Sequence, residues 1–293
     1  MAFDIIFNSI EQGLVYGIMV LGVYLTFRIL DFPDLTVDGS FPLGAAVTGR
    51  LIIGGVDPIL STVVAIFIGA ISGMITGFLN TKLKISGLLS GILTMTALYS
   101  INLRIMGRAN IPLLNQETIF TKIEAINFGG KWQDGIFFLV LIVLLKFLID
   151  RFLYTQLGLA LRATGDNKEM IRSLGVNTDL TIILGLALSN ALVALSGSLV
   201  AQYQGFADVG MGVGMIIIGL ASVIIGEVVF SNRTIPLATL SVIGGSLVYR
   251  LAITFALRSG FAPTDLKIVT AILVVIALAA PTLKKDFNLN FSS

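Results

Sequence analysis

The stretch IIFNSIEQGLVYGIMVLGVYLTF, residues 5–27, decides the fold class. It follows Met1-Ala2-Phe3-Asp4, with no Lys or Arg ahead of it. A secretory signal needs a positive leading region, a short apolar core and a small-residue cleavage site. This run instead continues to Phe27, long enough at 1.5 Å per residue for the ~30 Å of bilayer hydrocarbon. It reads as a retained transmembrane helix. Working outward, further apolar stretches lie near 40–54, 58–79, 85–106, 135–153, 179–201, 211–230, 235–257 and 265–281, making nine candidates in all. The second is short and broken by Gly39, Pro42 and Gly44, so it reads as a half-helix or re-entrant segment rather than a full crossing. No segment alternates as a membrane β-strand would. The expected fold is an all-α polytopic membrane helix bundle of about 8–10 segments, a single domain over 1–293.

Composition agrees. Of 293 residues 56% are hydrophobic and 12% charged, with a mean hydropathy of +0.96. Soluble domains average about 25% charged residues. There is no Cys and no His, which excludes disulfides, metal sites built on those residues, and Ser-His, Cys-His or HExxH catalysis. A net charge of +2 does not suggest a nucleic-acid surface. The expectation is a chain that is not an enzyme, with no catalytic residues, metal or cofactor.

Orientation follows the Lys/Arg distribution. With the C-terminus cytoplasmic, one side holds eleven basic residues: Arg28, Lys82, Lys84, Lys146, Arg151, Arg162, Lys168, Arg172, Arg233, Lys284 and Lys285. The other holds seven: Arg50, Arg104, Arg108, Lys122, Lys131, Arg258 and Lys267, with Arg250 inside a span. The favoured topology is N-terminus out and C-terminus in; if the second segment does not cross, the N-terminus moves inside.

Two connections are long. The outer one, 107–134, reads as a partly ordered loop with Trp132 at the headgroup level, or as a docking surface for an external partner. The cytoplasmic one, 154–178, contains Gly165-Asp166-Asn167-Lys168-Glu169-Met170-Ile171-Arg172-Ser173-Leu174-Gly175. Asp166 is a good N-cap, Glu169 resembles its capping-box partner, and Gly175 is the expected left-handed stop. Met170, Ile171 and Leu174 can share one face. A helix of about two turns is not stable alone in water, so it must pack on something. It lies on its own protein or lipid, or serves as a coupling helix in the groove of a cytoplasmic motor.

Three stretches carry a resemblance. Asp34-Leu35-Thr36-Val37-Asp38-Gly39-Ser40, then Phe41-Pro42-Leu43-Gly44-Ala45, is similar to the DLSVGS-then-LGA segment of sugar permeases, with Asp38 as an extra residue. Leu161-Arg162-Ala163-Thr164-Gly165-Asp166-Asn167, continuing to Ser173-Leu174-Gly175-Val176-Asn177, resembles the RA-x-G-x-N/D…G-I/V-N loop of the branched-chain amino-acid, ribose and nucleoside permeases of ATP-binding-cassette (ABC) importers. Ala221–Glu227 resembles that family's A-x-V-I-G-G, with Glu227 in place of the second glycine. The resemblance covers about residues 10–280. It implies a multi-pass bacterial cell-membrane permease that pairs with a second copy or a related chain, receives solute from an extracytoplasmic binding protein, and is driven by two ATPase subunits. It implies ATPase contact through Arg162, Gly165, Asp166, Asn167, Lys168, Glu169, Arg172 and Gly175. No Walker GxxxxGK[ST] motif is present, so ATP is not bound here by that route.

Ionisable and amide groups inside spans are functional candidates by default, with inter-helix bonding the commoner role for amides. The candidate path residues are Thr36, Asp38, Ser40, Asn102 and Asn190. Asp38 lines a cavity beside the broken second segment or N-caps a helix starting near Phe41. Glu11 and Gln12 face the outer interface. Glu227 and Arg250 lie too far apart in depth to pair; Arg250 is expected near outer carbonyls or Asp208, and Glu227 near the Asn232–Arg233 turn. Few charges in the spans favour a neutral or zwitterionic solute. An amino acid is preferred, an aromatic one among the choices, and a sugar or nucleoside is the alternative. An ion-coupled secondary transporter, with Asp38 or Glu227 carrying a proton, is the rival mechanism.

Overall fold

The computed structural model describes residues 2–126, 130–230, 234–260, 265, 268–272, 274, 275 and 279. The chain runs α1 (Ala2–Tyr24, continued by a π-helical turn Leu25–Ile29), α2 (Val37–Ile53), α3 (Pro58–Thr81), α4 (Gly87–Met106), β1 (Asn110–Pro112), α5 (Ile119–Ile126), α6 (Gln133–Leu153), α7 (Gln156–Asp166), α8 (Lys168–Ser173), α9 (Thr178–Gln204), β2 (Phe206–Asp208), α10 (Met215–Val229) and α11 (Ile235–Arg258). Six described helical stretches are long and apolar enough to cross a membrane. These bounds follow the apolar runs of the sequence to within a few residues. Of the ninth run, 265–281, only parts are described; Asn232, Arg233, Lys267, Lys284 and Lys285 lie outside the described residues.

Local chemistry sets the ends. Asp57 caps α3, its Oδ1 accepting from Ile59 N at 2.9 Å, with Pro58 at the first turn where no N–H is needed. Asn177 caps α9 through Leu180 N at 3.2 Å, and α9 stops at Gly205 with φ +76°.

Helices α1, α2 and α9 form the centre. From Gly185 to Gln202 α9 is buried on almost every side, as expected of a helix without a polar face. With no water to expel between helices in lipid, close backbone approach supplies the packing. A β-carbon on Gly44 would lie 2.0 Å from the Ala194 carbonyl oxygen, and one on Gly197 would lie 2.0 Å from that of Phe41. Only glycine allows α2 and α9 to touch at both points. Around this core stand α3, α4, α6, α10 and α11.

Two departures from the sequence reading concern the broken elements. The second segment does cross. The chain leaves α1 at the level of α7, where Gly165 meets Ile29, and rises through the non-helical residues 30–36. Leu35 passes Gly91, one turn into α4, and α2 then carries the chain to the opposite face at Asp57. This keeps the N-terminus on the face opposite the basic one, outside by the charge rule. The second departure lies in the 211–230 run. After α9 the chain turns into β2, which pairs antiparallel with β1 (Ile111 opposite Ala207), a small sheet absent from the all-α expectation. It then descends through a 3₁₀ turn, Val209–Gly212, before α10 begins at Met215. Ala207 lies against Gly49 and Gly212 against Asp38 and Pro42, so α10 starts about 16 Å below the sheet at the standard helical rise. The structure thus holds two discontinuous helices, α2 and α10, both starting inside the membrane.

Candidate functional site

The two interrupted helices meet at Asp38. Its carboxylate accepts from Gly214 N at 3.0 Å (Oδ2) and from Ile216 N at 2.7 Å (Oδ1). These are free N–H groups of the α10 N-terminus, where a negative charge is favoured by the helix dipole. Asp38 is therefore a cap, but of α10 rather than of its own helix, which begins at Val37 and not near Phe41. It also lines a cavity of about 350 Å³ with Gly39, Pro42, Met95, Tyr99 and Asn102, closed on another side by Val209 and Val213. Asn102 is fully buried; its Nδ2 donates to the Gly39 carbonyl at 3.2 Å, and its Oδ1 has no hydrogen-bond partner among the described residues.

The structure divides the five path candidates. Asp38 and Asn102 share that cavity, whereas Thr36, Ser40 and Asn190 lie in a buried network between α2, α3 and α9. Ser40 Oγ donates to Asn190 Oδ1 at 2.6 Å, and Asn190 Nδ2 donates to Asp34 Oδ2 at 2.7 Å. Asp34 Oδ1 accepts from Thr36 N at 3.0 Å, and the Thr36, Thr76 and Thr94 hydroxyls follow at 2.7 and 2.9 Å. Asn190 is twelve residues from the inner end of α9, about 18 Å up the helix. Asp34 is thus a carboxyl group buried inside the helix bundle, a residue that sequence reasoning missed. The signal was present, in an Asp at the start of the broken segment with polar residues at two-residue spacing behind it.

The remaining intramembrane charges find partners of their own, and the Asn232–Arg233 turn expected beside Glu227 lies outside the described residues. Glu227 pairs with Arg28, its Oε1 2.8 Å from Nε, across the inner ends of α10 and α1. The Arg250 guanidinium lies over the Tyr16 ring, 3.7 Å from its centroid, and Nη1 reaches Gln12 Oε1 at 3.4 Å, far from Asp208. Glu11 does not face the outer interface: it is 4% exposed and accepts from the Tyr203 hydroxyl at 2.7 Å. Thus the two proton-carrier candidates of the rival mechanism are both engaged, Asp38 by backbone N–H groups and Glu227 by a guanidinium.

On the cytoplasmic face the connection 154–178 folds as two helices, not one. Arg162, Gly165 and Asp166 belong to α7, and Asp166 is its last residue. The cap of α8 is Asn167, whose Oδ1 accepts from Met170 N at 2.9 Å. Asn167 also ends α7, and its extended backbone (φ −153°) kinks the chain between the two helices. Gly175 stops α8 with φ +87° as expected. Met170, Ile171 and Leu174 do not share a buried face. Ile171 alone turns inward, while Met170 and Leu174 are 52% and 69% exposed. Lys168, Glu169 and Arg172 are exposed around them. Helix α7 is seated on the core: Thr164 Oγ1 lies 3.0 Å from Thr181 Oγ1, and Gly165 abuts the Ile29 carbonyl. A recess of about 640 Å³ between α7 and the end of α1 is lined by Arg28, Asp31, Arg162 and Asp166. On the opposite face Lys122 pairs with Asp57, joining the 107–134 loop to the start of α3. This ion pair, with the hydrogen bond from Lys122 first, holds the Asp57 carboxyl below its ordinary range.

Residues 5–279 match the family model described as branched-chain amino acid transport system, permease component. The chain belongs to this family. It is the membrane-spanning, multi-pass permease component of an ABC importer. Among its relatives, the permease named tyrosine transport system permease protein, of Clostridioides difficile, is 45% identical over 95% of this chain and 92% of its own length. The probable branched-chain amino acid permease LivH of Methanocaldococcus jannaschii is 27% identical over 93% of this chain and 90% of its own. PsaBC from Streptococcus pneumoniae, solved in complex with Fab, shares the fold with a TM-score of 0.54 at 15% identity, over 92% of this chain and 89% of that one. In a permease, a meeting of two helix starts within the bilayer is the arrangement by which free backbone groups line a path rather than face lipid.

Proposed function

We propose that this permease carries an aromatic amino acid, tyrosine first, delivered by an extracytoplasmic binding protein. Two ATPase subunits drive it, and a second copy or a related chain completes the path. The path runs beside Asp38 and Asn102, whose cavity opens on the α4 side of the bundle. The observation that carries this reading is the junction of α2 and α10, where the Asp38 carboxylate meets the free N–H groups of a helix start beside a cavity. The 45% identity to a permease named for tyrosine supports the substrate. The ATPases engage α8 and the adjoining end of α7, where exposed Met170 and Leu174 stand among Lys168, Glu169 and Arg172. An apolar pair ringed by charge is the composition of a protein contact rather than of a solvated face. Thr36, Ser40 and Asn190 stiffen the core beside the path and do not touch solute.

The test is reconstitution of the permease with its ATPases and binding protein in liposomes. Uptake of labelled L-tyrosine that requires ATP is the expected result. Uptake of ribose with none of L-tyrosine or L-leucine would replace the substrate class, and ATP-independent uptake would replace the mechanism.

A further inference from the structure

The wall of the Asp38 cavity carries a chemical preference. Helix α4 is the least enclosed of the six spanning stretches. Its outward residues include Leu88, Leu89, Leu93 and Ile101, as lipid requires, but also Thr96, Tyr99, Ser100 and Arg104. Of these, Thr96 and Tyr99 line the cavity. Both are exposed, Tyr99 by 54%, and Tyr99 stands twelve residues into the helix, about 18 Å from its inner end. A phenol belongs at the membrane interface or beside a polar partner, not in mid-hydrocarbon. This face of α4 therefore looks onto a watered space, and the cavity opens to it.

Inside the cavity the polar atoms without a donor are acceptors. Asn102 is fully buried, and its orientation is fixed because Nδ2 must donate to the Gly39 carbonyl; that leaves Oδ1 as a buried acceptor with no donor among the described residues. An orphaned buried acceptor costs about 1–3 kcal/mol, so its retention calls for a ligand. Asp38 lines the same cavity with a carboxylate that accepts from Gly214 N and Ile216 N, with Met215 N beside it, and still keeps a lone pair. The remaining surface is mainly apolar, from Pro42, Met95, Val209 and Val213, with Tyr99 and with Thr96, whose hydroxyl donates to the Ile92 carbonyl. Two acceptors and a phenol hydroxyl in one cavity, with no cationic side chain, do not suit a carboxylate, a phosphate or a bare hydrocarbon. They suit a group with several N–H donors and a positive charge. We infer that Asn102 Oδ1 and Asp38 form a transit site for a primary ammonium, the amino end of the travelling solute, with its side chain against Met95 and Val213. The inference rests on the reading of this cavity as part of the path.

Because the chain has no cysteine, a single introduced thiol reports on the cavity alone. In the complete importer in nanodiscs, Thr96→Cys is labelled with aminoethyl and with sulfonatoethyl methanethiosulfonate, and each rate is divided by that of a free thiol. The expected result is a preference for the ammonium reagent of about tenfold, the factor one charge-assisted hydrogen bond supplies. Asn102→Leu and, separately, Asp38→Asn should bring the ratio back toward that of the free thiol. Labelling at free-thiol ratios in the parent, or a preference untouched by both substitutions, overturns the ammonium site and leaves the path standing. No labelling by either reagent means that this face of α4 meets lipid or protein, and the path reading falls with the site.

Discussion

Gly165 of α7 lies against the carbonyl of Ile29, so close that a β-carbon would sit 2.0 Å from that oxygen. Ile29 ends the π-helical turn that closes the first span, and residues 30–36 run from it directly to Asp38. One backbone contact therefore links the cytoplasmic helices to the junction of α2 and α10. A displacement of α7 reaches the cavity through nine residues of chain, several of them, Leu30, Phe32 and Val37, packed in the core.

This contact makes Gly165→Ala a decisive substitution. Alanine raises helix propensity by about 1 kcal/mol over glycine. The clash is with backbone, which cannot rotate away, and overpacking of this kind costs about 1–3 kcal/mol. Sterics win, and α7 must lift from Ile29. In reconstituted importer we expect ATP hydrolysis to persist while solute carried per ATP falls several-fold. Unchanged stoichiometry would show that motion does not pass through this contact.

Met170 and Leu174 provide a prediction of the opposite kind. Both are exposed, so replacing them by serine should change thermal stability by no more than about 0.5 kcal/mol. Loss of an apolar anchor at an interface costs 2 kcal/mol or more, roughly thirtyfold in affinity. The double variant should be folded and inserted but should fail to retain ATPase subunits on purification. Ile171→Ser, by contrast, exposes no new docking defect; it removes the one residue holding α8 to the body and should lower stability.

How much of this was legible beforehand depends on the type of signal. Spans such as α3 and α9 announce themselves because lipid demands about twenty apolar residues in sequence. Gly175 as a stop was legible because only the left-handed conformation ends α8 there. Asn167 displacing Asp166 as the cap was not, because both side chains cap equally well and the choice depends on where α7 ends. The partners of Glu227 and Arg250 were hidden for a different reason. Depth along a helix can be counted, but rotation about its axis and the identity of the neighbour cannot. Asp38 shows the same limit: its role as a cap was readable, and the helix it caps lies 176 residues further on.

Asn190 holds two groups together inside the helix bundle, accepting from Ser40 and donating to Asp34. Asn190→Leu leaves the Asp34 carboxyl short of a donor and Ser40 without its side-chain acceptor. The expected loss is about 2–4 kcal/mol, read by thermal or denaturant unfolding in detergent. Asp34→Asn combined with Asn190→Leu should cost less than the two single losses added, because the second change removes part of what the first left unsatisfied. Strict additivity would mean that the two residues do not share a bond.

The Asp57–Lys122 pair predicts a pH dependence on the outer face. The Asp57 carboxyl titrates below its ordinary value because Lys122 bonds to its charged form, and its other oxygen caps α3. A carboxyl depressed by folding contributes stability that is present above its unfolded pKa, about 3.9, and is lost as pH falls through the folded value. The contribution is therefore intact at neutral pH and fades below about pH 4. Lys122→Met removes the main cause of the depression, and Asp57 should then titrate closer to the ordinary value while still capping α3. The 107–134 loop loses its tie to that helix in the same step. Carboxyl carbon NMR of labelled aspartate, with Asp57→Asn to assign the signal, reads the shift directly. Limited proteolysis of the loop at pH 7 should quicken in Lys122→Met but stay unchanged in Arg108→Met, at an exposed position of the same loop. Equal proteolysis in all three proteins would show that the ion pair does not anchor the loop.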